Sequence, residues 1–313
     1  LFLSSGIFKN PDYTMERLVA IIKKLRIEHK FNGYIHLKTI PGCSELLMKD
    51  AGLYADRMSI NIEMPTELSL QSLAPQKNFK EIVTPMRLIT ENIQQYKSEK
   101  KLIKYAPKFV PAGQSTQMII GATPDTDKNI LTTANHLYEK FNLKRVYYSG
   151  YIPINNSDNR LPMIGTSPPL IREHRLYQTD WLYRFYDFSI QEIVDDNHQN
   201  LELDIDPKLS WALRNLHLFP IDVNTADYHL IVRIPGIGVV SAKKIIAARR
   251  FRKLDSYMLK KLGIAYNRAK YFLTCNDTLT AMPDLLPIQL KQRILREGNS
   301  KYEPTFNQQL SLF

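Results

Sequence analysis

Cysteine is scarce in this chain of 313 residues: Cys43 and Cys275 are the only two. Two thiols exclude a disulfide-stapled scaffold, and a reducing, cytoplasmic setting is the expectation. No apolar run approaches the roughly 18 residues that a membrane-spanning helix requires. The first residues also lack the basic-then-apolar order of a secretion signal, so no membrane partner is expected. Walker loops, Gly-x-Gly-x-x-Gly and a Ser-His-Asp order are missing, which removes the commonest nucleotide-binding and hydrolase signatures. His36 and His174 stand in no ligand spacing with other His or Cys, so a histidine-built metal site is not expected. What remains is the composition of a folded protein, 44% hydrophobic and 23% charged, long enough for two domains.

Acid is missing where base is densest. Residues 233–270 hold Arg233, Lys243, Lys244, Arg249, Arg250, Arg252, Lys253, Lys260, Lys261, Arg268 and Lys270 against the single acid Asp255, a net of +10 within a whole-chain excess of +11. A solvated helix face is the ordinary explanation of a charge run. Concentration of nearly the whole excess in one segment points instead to a polyanionic partner.

The same segment has a local pattern. Asn224 or Thr225 is placed to cap a helix through Asp227, Leu230 and Ile231. Pro235-Gly236-Ile237-Gly238 then turns the chain, and a second helix runs through Ala242, Ile245, Ile246 and Arg249. Two glycines in three residues permit a tight turn and a close approach of backbone to a ligand. The N–H groups of the second helix's first turn point outwards, where they bind an anion, usually phosphate. Lys243 and Lys244, early in that helix, oppose its dipole unless such an anion is bound. The string VNTADYHLIVRIPGIGVVSAKKIIAARR resembles the helix-hairpin-helix DNA-binding motif. The resemblance implies contacts to the sugar-phosphate backbone of DNA from Pro235, Gly236, Ile237, Gly238, Ser241, Lys243, Lys244, Arg249 and Arg250, and binding without sequence preference. The alternative is a hairpin used for packing alone.

Up to about Tyr151 the chain alternates short strand-like runs with amphipathic helices. Strands are predicted at 2–5, 34–39, 58–64, 116–121 and 145–151, and helices at 15–29, 45–50, 85–101 and 128–141. Such alternation means a parallel sheet, open or closed into a barrel. Period two in 58–64 places Ser59, Asn61 and Glu63 on one face and the methionines and isoleucines against the helices. Tyr34, His36 and Lys38 likewise oppose Ile35 and Leu37. Barrel interiors are ordinarily packed with branched aliphatics, so these strands predict a polar lumen and a polar ligand. The alternative is a buried structural pair such as Lys38 with Glu63.

The strings LFLSSGIFKNPDYT, FNGYIHLKTIPG, AGLYADRMSINIEMPT and REHRLYQTDWLYRFYDF resemble a group of bacterial radical S-adenosylmethionine proteins assigned to DNA modification or repair, with a helix-hairpin-helix at their C-terminus. The resemblance spans nearly the whole chain. It implies an α/β fold: a partial (β/α)6 barrel over 1–152, a lid loop and connecting helix over 153–210, a small all-α helix-hairpin-helix domain over 211–282, and a flexible tail over 283–313. It further implies a [4Fe–4S] cluster and S-adenosylmethionine at the strands' C-terminal mouth. Ser4, Ser5 and Gly6 occupy the place of the motif that ends the second barrel strand and contacts the cofactor's amino group. Ser59, Asn61 and Glu63 fall near its ribose and carboxylate; Gln117, Gly121 and Tyr148 flank its adenine, and His36 and Lys38 are further candidates for binding the cofactor. The family holds its cluster with Cys-x3-Cys-x2-Cys after the first strand. Nothing here fits that pattern, since Cys43 follows the third strand and Cys275 is remote, and three thiolates are the minimum for such a cluster. The expectation is that the first strand and its cysteine loop lie upstream of this numbering.

Residues 152–171 read as a loop of about 20 residues, placed to close one side of the mouth. Arg172, His174, Arg175, Tyr177, Trp181 and Tyr183 then open an aromatic helix. It is either a wall on which a base stacks while Arg holds a phosphate or packing between domains. Past Gly298 the chain reads as a flexible arm ending in Gln309-Leu310-Ser311-Leu312-Phe313, whose apolar anchors suit a pocket elsewhere. QLSLF matches the pentapeptide that binds the bacterial β sliding clamp; the alternative is that it folds back on the protein. Together these readings predict a radical S-adenosylmethionine enzyme acting on DNA. The alternatives are a DNA- and clamp-binding adaptor with a cluster-less barrel, and an enzyme acting on RNA or a nucleoprotein.

Overall fold

A computed structural model describes residues 1–103, 105–167, 169–278 and 285–297. The chain divides into two compact units, Leu1–Glu173 and His174–Phe313, a boundary inside the stretch expected to link barrel and hairpin. Among the described residues no helix is long and apolar enough to cross a membrane.

The N-terminal unit runs β1 (Phe2–Leu3), α1 (Pro11–Ile27), β2 (His36–Lys38), α2 (Glu45–Tyr54), β3 (Arg57–Ser59), α3 (Glu67–Leu73), α4 (Phe79–Leu102), β4 (Gln114–Ile120), α5 (Asp127–Phe141) and β5 (Arg145–Gly150), and reaches the start of α6 (Leu170–Phe185). All five strands are parallel and lie in chain order, β1-β2-β3-β4-β5. A doubly wound sheet reverses its order at a switch point and this one does not. Chain order is that of a barrel wall, but the sheet is open, with β1 and β5 as its edges.

Helix starts follow local capping. Asn10, Thr66, Asn78 and Thr126 each accept a bond from a first-turn amide of the helix they precede. Helix α4 begins six residues before the proline that the sequence suggested as its start. Pro85 is buried inside it, because the Asn78 cap and the burial of Ile82, Met86 and Ile89 outweigh one lost backbone bond.

The C-terminal unit continues with α7 (Ile190–Ile193), α8 (Pro207–Arg214), a 3-10 turn (Leu216–Leu218), β6 (Ile221–Asp222), α9 (Tyr228–Ile231), α10 (Val239–Ala248), α11 (Ser256–Lys261), α12 (Tyr266–Ala269), β7 (Leu273–Thr274) and α13 (Pro287–Glu297). It is not all-α. β6 and β7 pair in parallel, Ile221 opposite Leu273 and Asp222 opposite Thr274, so the two apolar runs flanking α9–α12 close on each other. Nor is 283–313 wholly a tail: α13 buries Leu290 and Ile294. Lys291 pairs with Glu202 and Asp204, and Glu297 with Lys270 and Tyr271. Core packing centres on Phe188, Trp211, Phe219 and Phe272, linked edge to face at 5.0–6.1 Å.

Candidate nucleic-acid interface

Local chemistry sets the turn between α9 and α10. Asp227, not Asn224 or Thr225, is the N-cap of α9. Asn224 instead brackets Leu254, accepting from its N–H at 2.7 Å and donating to its carbonyl at 3.1 Å. Ile231, Ile234 and Ile237 are fully buried. Between them Gly236 takes φ +86°, and a Cβ there would lie 2.8 Å from Ala265 O and 3.3 Å from Ala269 N. Only glycine fits this position. Gly238 has an ordinary φ of −96° and is the N-cap of α10, with no side-chain cap bond. As in any helix, the first-turn amides of α10 have no intrahelical partner, and Gly238, having no side chain, leaves nothing there to compete with a phosphate for them.

The structure sorts the eleven cations of 233–270. Three turn inwards. Arg233 pairs with Glu192 at 2.5 Å and lies over the rings of Phe188 and Trp211. Arg268 pairs with Asp206. Arg249 Nη1 donates to Val223 O at 3.0 Å and Ala226 O at 2.6 Å. Arg249 thus braces the motif, and its guanidinium is committed to these two carbonyls. Lys243, Lys244, Arg250, Arg252, Lys253, Lys260, Lys261 and Lys270 are exposed, although Arg252 faces Asp255 at 3.9 Å and Lys270 is paired with Glu297. Pro235 and Ile237 are buried, Gly236, Gly238 and Ser241 half-buried.

Residues 219–271 match the family model of the helix-hairpin-helix motif. The chain matches no curated protein and no solved structure. The C-terminal unit therefore carries a helix-hairpin-helix, and the motif points to nucleic-acid binding.

The structure reveals a second hairpin that the single-motif reading missed. Asp255 stands at the N-cap of α11 as Asp227 does at that of α9, although only Asp255 makes the side-chain cap bond, and Gly263 has φ +81° where Gly236 has +86°. Leu259, Ile264, Ala269 and Phe272 are buried like Ile231, Ile237, Ala242 and Ile245. The equivalent positions lie 28 residues apart before the turn and 27 after it, because Pro235 has no counterpart. That offset was the available signal; the second copy lacks the Gly-x-Gly that marks the first.

Lys208 supports the first turn from below. Its Nζ donates to Ile237 O at 2.5 Å and lies 5.1 Å from the Tyr186 ring centroid. Burial, with Arg233 as a further cation, pushes this amine down to about 7. An unfolded lysine titrates near 10.5, so between pH 7 and 10.5 the unfolded chain binds the extra proton and stability rises with pH. The neutral amine still donates to Ile237 O. Urea denaturation at pH 7 and pH 9 should show the native protein gaining on the order of 1 kcal/mol per pH unit at most relative to Lys208→Met. Parallel curves would disprove it.

Within the N-terminal unit the sheet has one apolar and one polar face. Gln114 bonds Met86 O, Thr90 Oγ1 and Phe141 O, which identifies its face as the one against α4 and α5. Strand register puts Leu37, Met58, Thr116, Met118, Val146 and Tyr148 on that face with it. Tyr148 is thus buried on the helix side, away from the predicted ligand face. Its neighbour Tyr147 lies opposite Gln117 on the polar face, together with His36, Lys38, Arg57, Ser59, Ser115 and Arg145. The resemblance carried Tyr148 over by strand position alone, which does not say which phase of a strand faces the helices.

His36 Nε2 and Ser115 Oγ are buried without a hydrogen-bond partner among the described residues. Burial, then Arg57 and Lys38, pushes His36 down to about 4. β3 ends at Ser59, short of the predicted 64, because Thr116 Oγ1 inserts between Ile60 O and Ile62 N at 2.7 and 2.9 Å. Asn61 still reaches Gln117 Oε1 at 3.5 Å. Glu63, at φ +66°, rejoins the sheet as a bridge to Met118, and its carboxylate pairs with Lys77 at 3.2 Å, not with Lys38. Ser4, Ser5 and Gly6 are exposed beyond the end of β1, and Gly121 follows β4 with φ +83°.

The thiols are not a cluster site. Cys43 is buried in the N-terminal unit, its pKa pushed up to about 12 by burial and by Asp12. Cys275 lies in the C-terminal unit against Thr278 Oγ1 at 2.8 Å. Residues 309–313 lie outside the described residues.

Proposed function

We propose that this protein binds duplex DNA through the backbone, without sequence preference, and works in DNA repair or modification. The observation that carries the reading is the exposed cations of the hairpin segment, with Lys243 and Lys244 on α10, a helix whose start has no side-chain cap. Two hairpins, each turned by a positive-φ glycine, suit two strands of one duplex. Fluorescence anisotropy with duplexes of unrelated sequence tests it. Affinities should agree within about threefold and fall steeply with salt. Strong dependence on sequence, or a preference for RNA of equal charge, would refute it.

We further propose that the polar face of the N-terminal sheet holds S-adenosylmethionine as the cofactor half of a radical enzyme. Support comes from the chain-order parallel sheet and from His36 Nε2 and Ser115 Oγ, buried polar atoms of that face without a hydrogen-bond partner among the described residues. The thiols present do not fit a [4Fe–4S] cluster, which needs three. The second reading is a DNA-binding adaptor without a cluster. Iron and acid-labile sulfide on the full-length protein, reconstituted without oxygen, decide between them: about four of each per chain supports the enzyme, none supports the adaptor.

The C-terminal QLSLF is proposed to bind the bacterial β sliding clamp. Deleting Leu312 and Phe313 should abolish clamp binding in a pull-down and leave DNA affinity unchanged. Clamp binding that survives the deletion would refute the assignment.

A further inference from the structure

Beside the Gly236–Gly238 turn, wholly within the C-terminal unit, lies an open cavity of about 410 Å³. This volume is in the range of small-molecule sites, roughly 300–1,000 Å³. The hairpin turn itself forms one wall; Trp181 and Tyr177, one helical turn apart on α6, and Tyr186 form another. Trp181 remains 51% exposed, so it is not a core residue, and it stands edge to face with Phe185 at 5.4 Å. A Cβ on Gly238 would lie 3.1 Å from Tyr186 Oη, which places an aromatic ring directly against the turn.

The polar lining is held in fixed orientation. Arg175 donates to Gln178 Oε1 at 2.9 Å, which leaves the Gln178 amide directed at His174 Nε2, 3.1 Å away. Lys208 is tied to Ile237 O, and Arg268 to Asp206. An aromatic wall with oriented donors and acceptors is what a nucleobase requires: a π-face to stack on and groups for its edge. The turn that forms the other wall is the one that offers a phosphate site.

We propose that this cavity receives one unstacked nucleobase of the strand whose backbone the first hairpin holds, with the base lying on Trp181. The inference rests on the hairpin reading and adds specificity to it: a duplex with an unpaired or displaced base is preferred over a fully paired one. Unstacking is least costly at such a base.

The chain has two tryptophans, and the other, Trp211, is only 3% exposed, so quenching of indole fluorescence reports Trp181. The test uses the full chain and three probes: a paired duplex, the same duplex with one unpaired adenine, and adenosine monophosphate alone. The unpaired adenine should raise affinity about tenfold, as one stacked base does, and quench the fluorescence. Trp181→Ala should reduce that affinity to the paired-duplex level while leaving paired-duplex affinity within about twofold, and Trp181→Phe should retain the preference. An equal preference in Trp181→Ala, or none in the native protein while paired duplex still binds, overturns the proposal and leaves the hairpin reading intact. Tight quenching by adenosine monophosphate alone overturns it in favour of a free-nucleotide site. Failure to bind paired duplex at low salt would remove both readings.

Discussion

Gly236→Ala is expected to lower the stability of the C-terminal unit by roughly 2–4 kcal/mol and to abolish its affinity for DNA. Two costs combine. The backbone sits at φ +86°, where a side chain is strained, and the new Cβ would meet Ala265 O at 2.8 Å and Ala269 N at 3.3 Å. Both are main-chain atoms of the second hairpin, so neither can swing aside. Gly263→Ala shares the strain, at φ +81°, but has nothing within 4 Å of its Cβ and should cost only about 1–2 kcal/mol. Gly238→Ala has an ordinary φ and meets only the Tyr186 hydroxyl at 3.1 Å; it should fold and lose DNA affinity alone, by hindering close approach. Urea denaturation and anisotropy on the three variants check the order. Equal destabilisation by all three would show that the turn's glycines serve no distinct conformational roles.

Replacing Lys243 and Lys244 together by glutamine should weaken duplex binding on the order of 50-fold at 0.1 M salt, whatever the sequence. Each phosphate contact contributes about 0.9 to the slope of log affinity against log salt, so the pair should make that slope shallower by about 2. Stability should change little, since both side chains are exposed and glutamine matches lysine in helix propensity. Arg249→Gln is the contrasting case. Its guanidinium holds Val223 O and Ala226 O, so its loss should appear mainly in the denaturation midpoint and only secondarily in the salt slope. An unchanged slope in the double lysine variant would remove α10 from the interface.

Much of this was legible in local sequence. The Gly-x-Gly turn needs only the torsional freedom of its own residues, and the cationic segment needs only counting. Five strands and four of the five helices between them were readable because side-chain period follows backbone geometry; the short α3 was not. Tyr148 was carried over by strand position from the resemblance, and period two separates two faces without saying which one packs on helices. The early end of β3 depends on the Thr116 hydroxyl, which comes from a strand more than fifty residues away. The second hairpin was hidden by the absence of a proline and a glycine, though its aspartate cap, apolar spacing and single positive-φ glycine repeat the first.

The sequence by itself determined that a basic, glycine-turned hairpin exists and that a parallel α/β unit precedes it, since charge excess, turn chemistry and periodicity are properties of neighbouring residues. Only the tertiary structure decided which cations are available to a partner. Arg233, Arg249 and Arg268 turn inwards because Glu192, the Val223 and Ala226 carbonyls and Asp206 wait there, and a buried charge without such a partner is costly. It also decided that Trp181, from a helix some fifty residues earlier, stands beside the hairpin turn. No local pattern encodes that meeting, because it follows from how the core of the C-terminal unit packs.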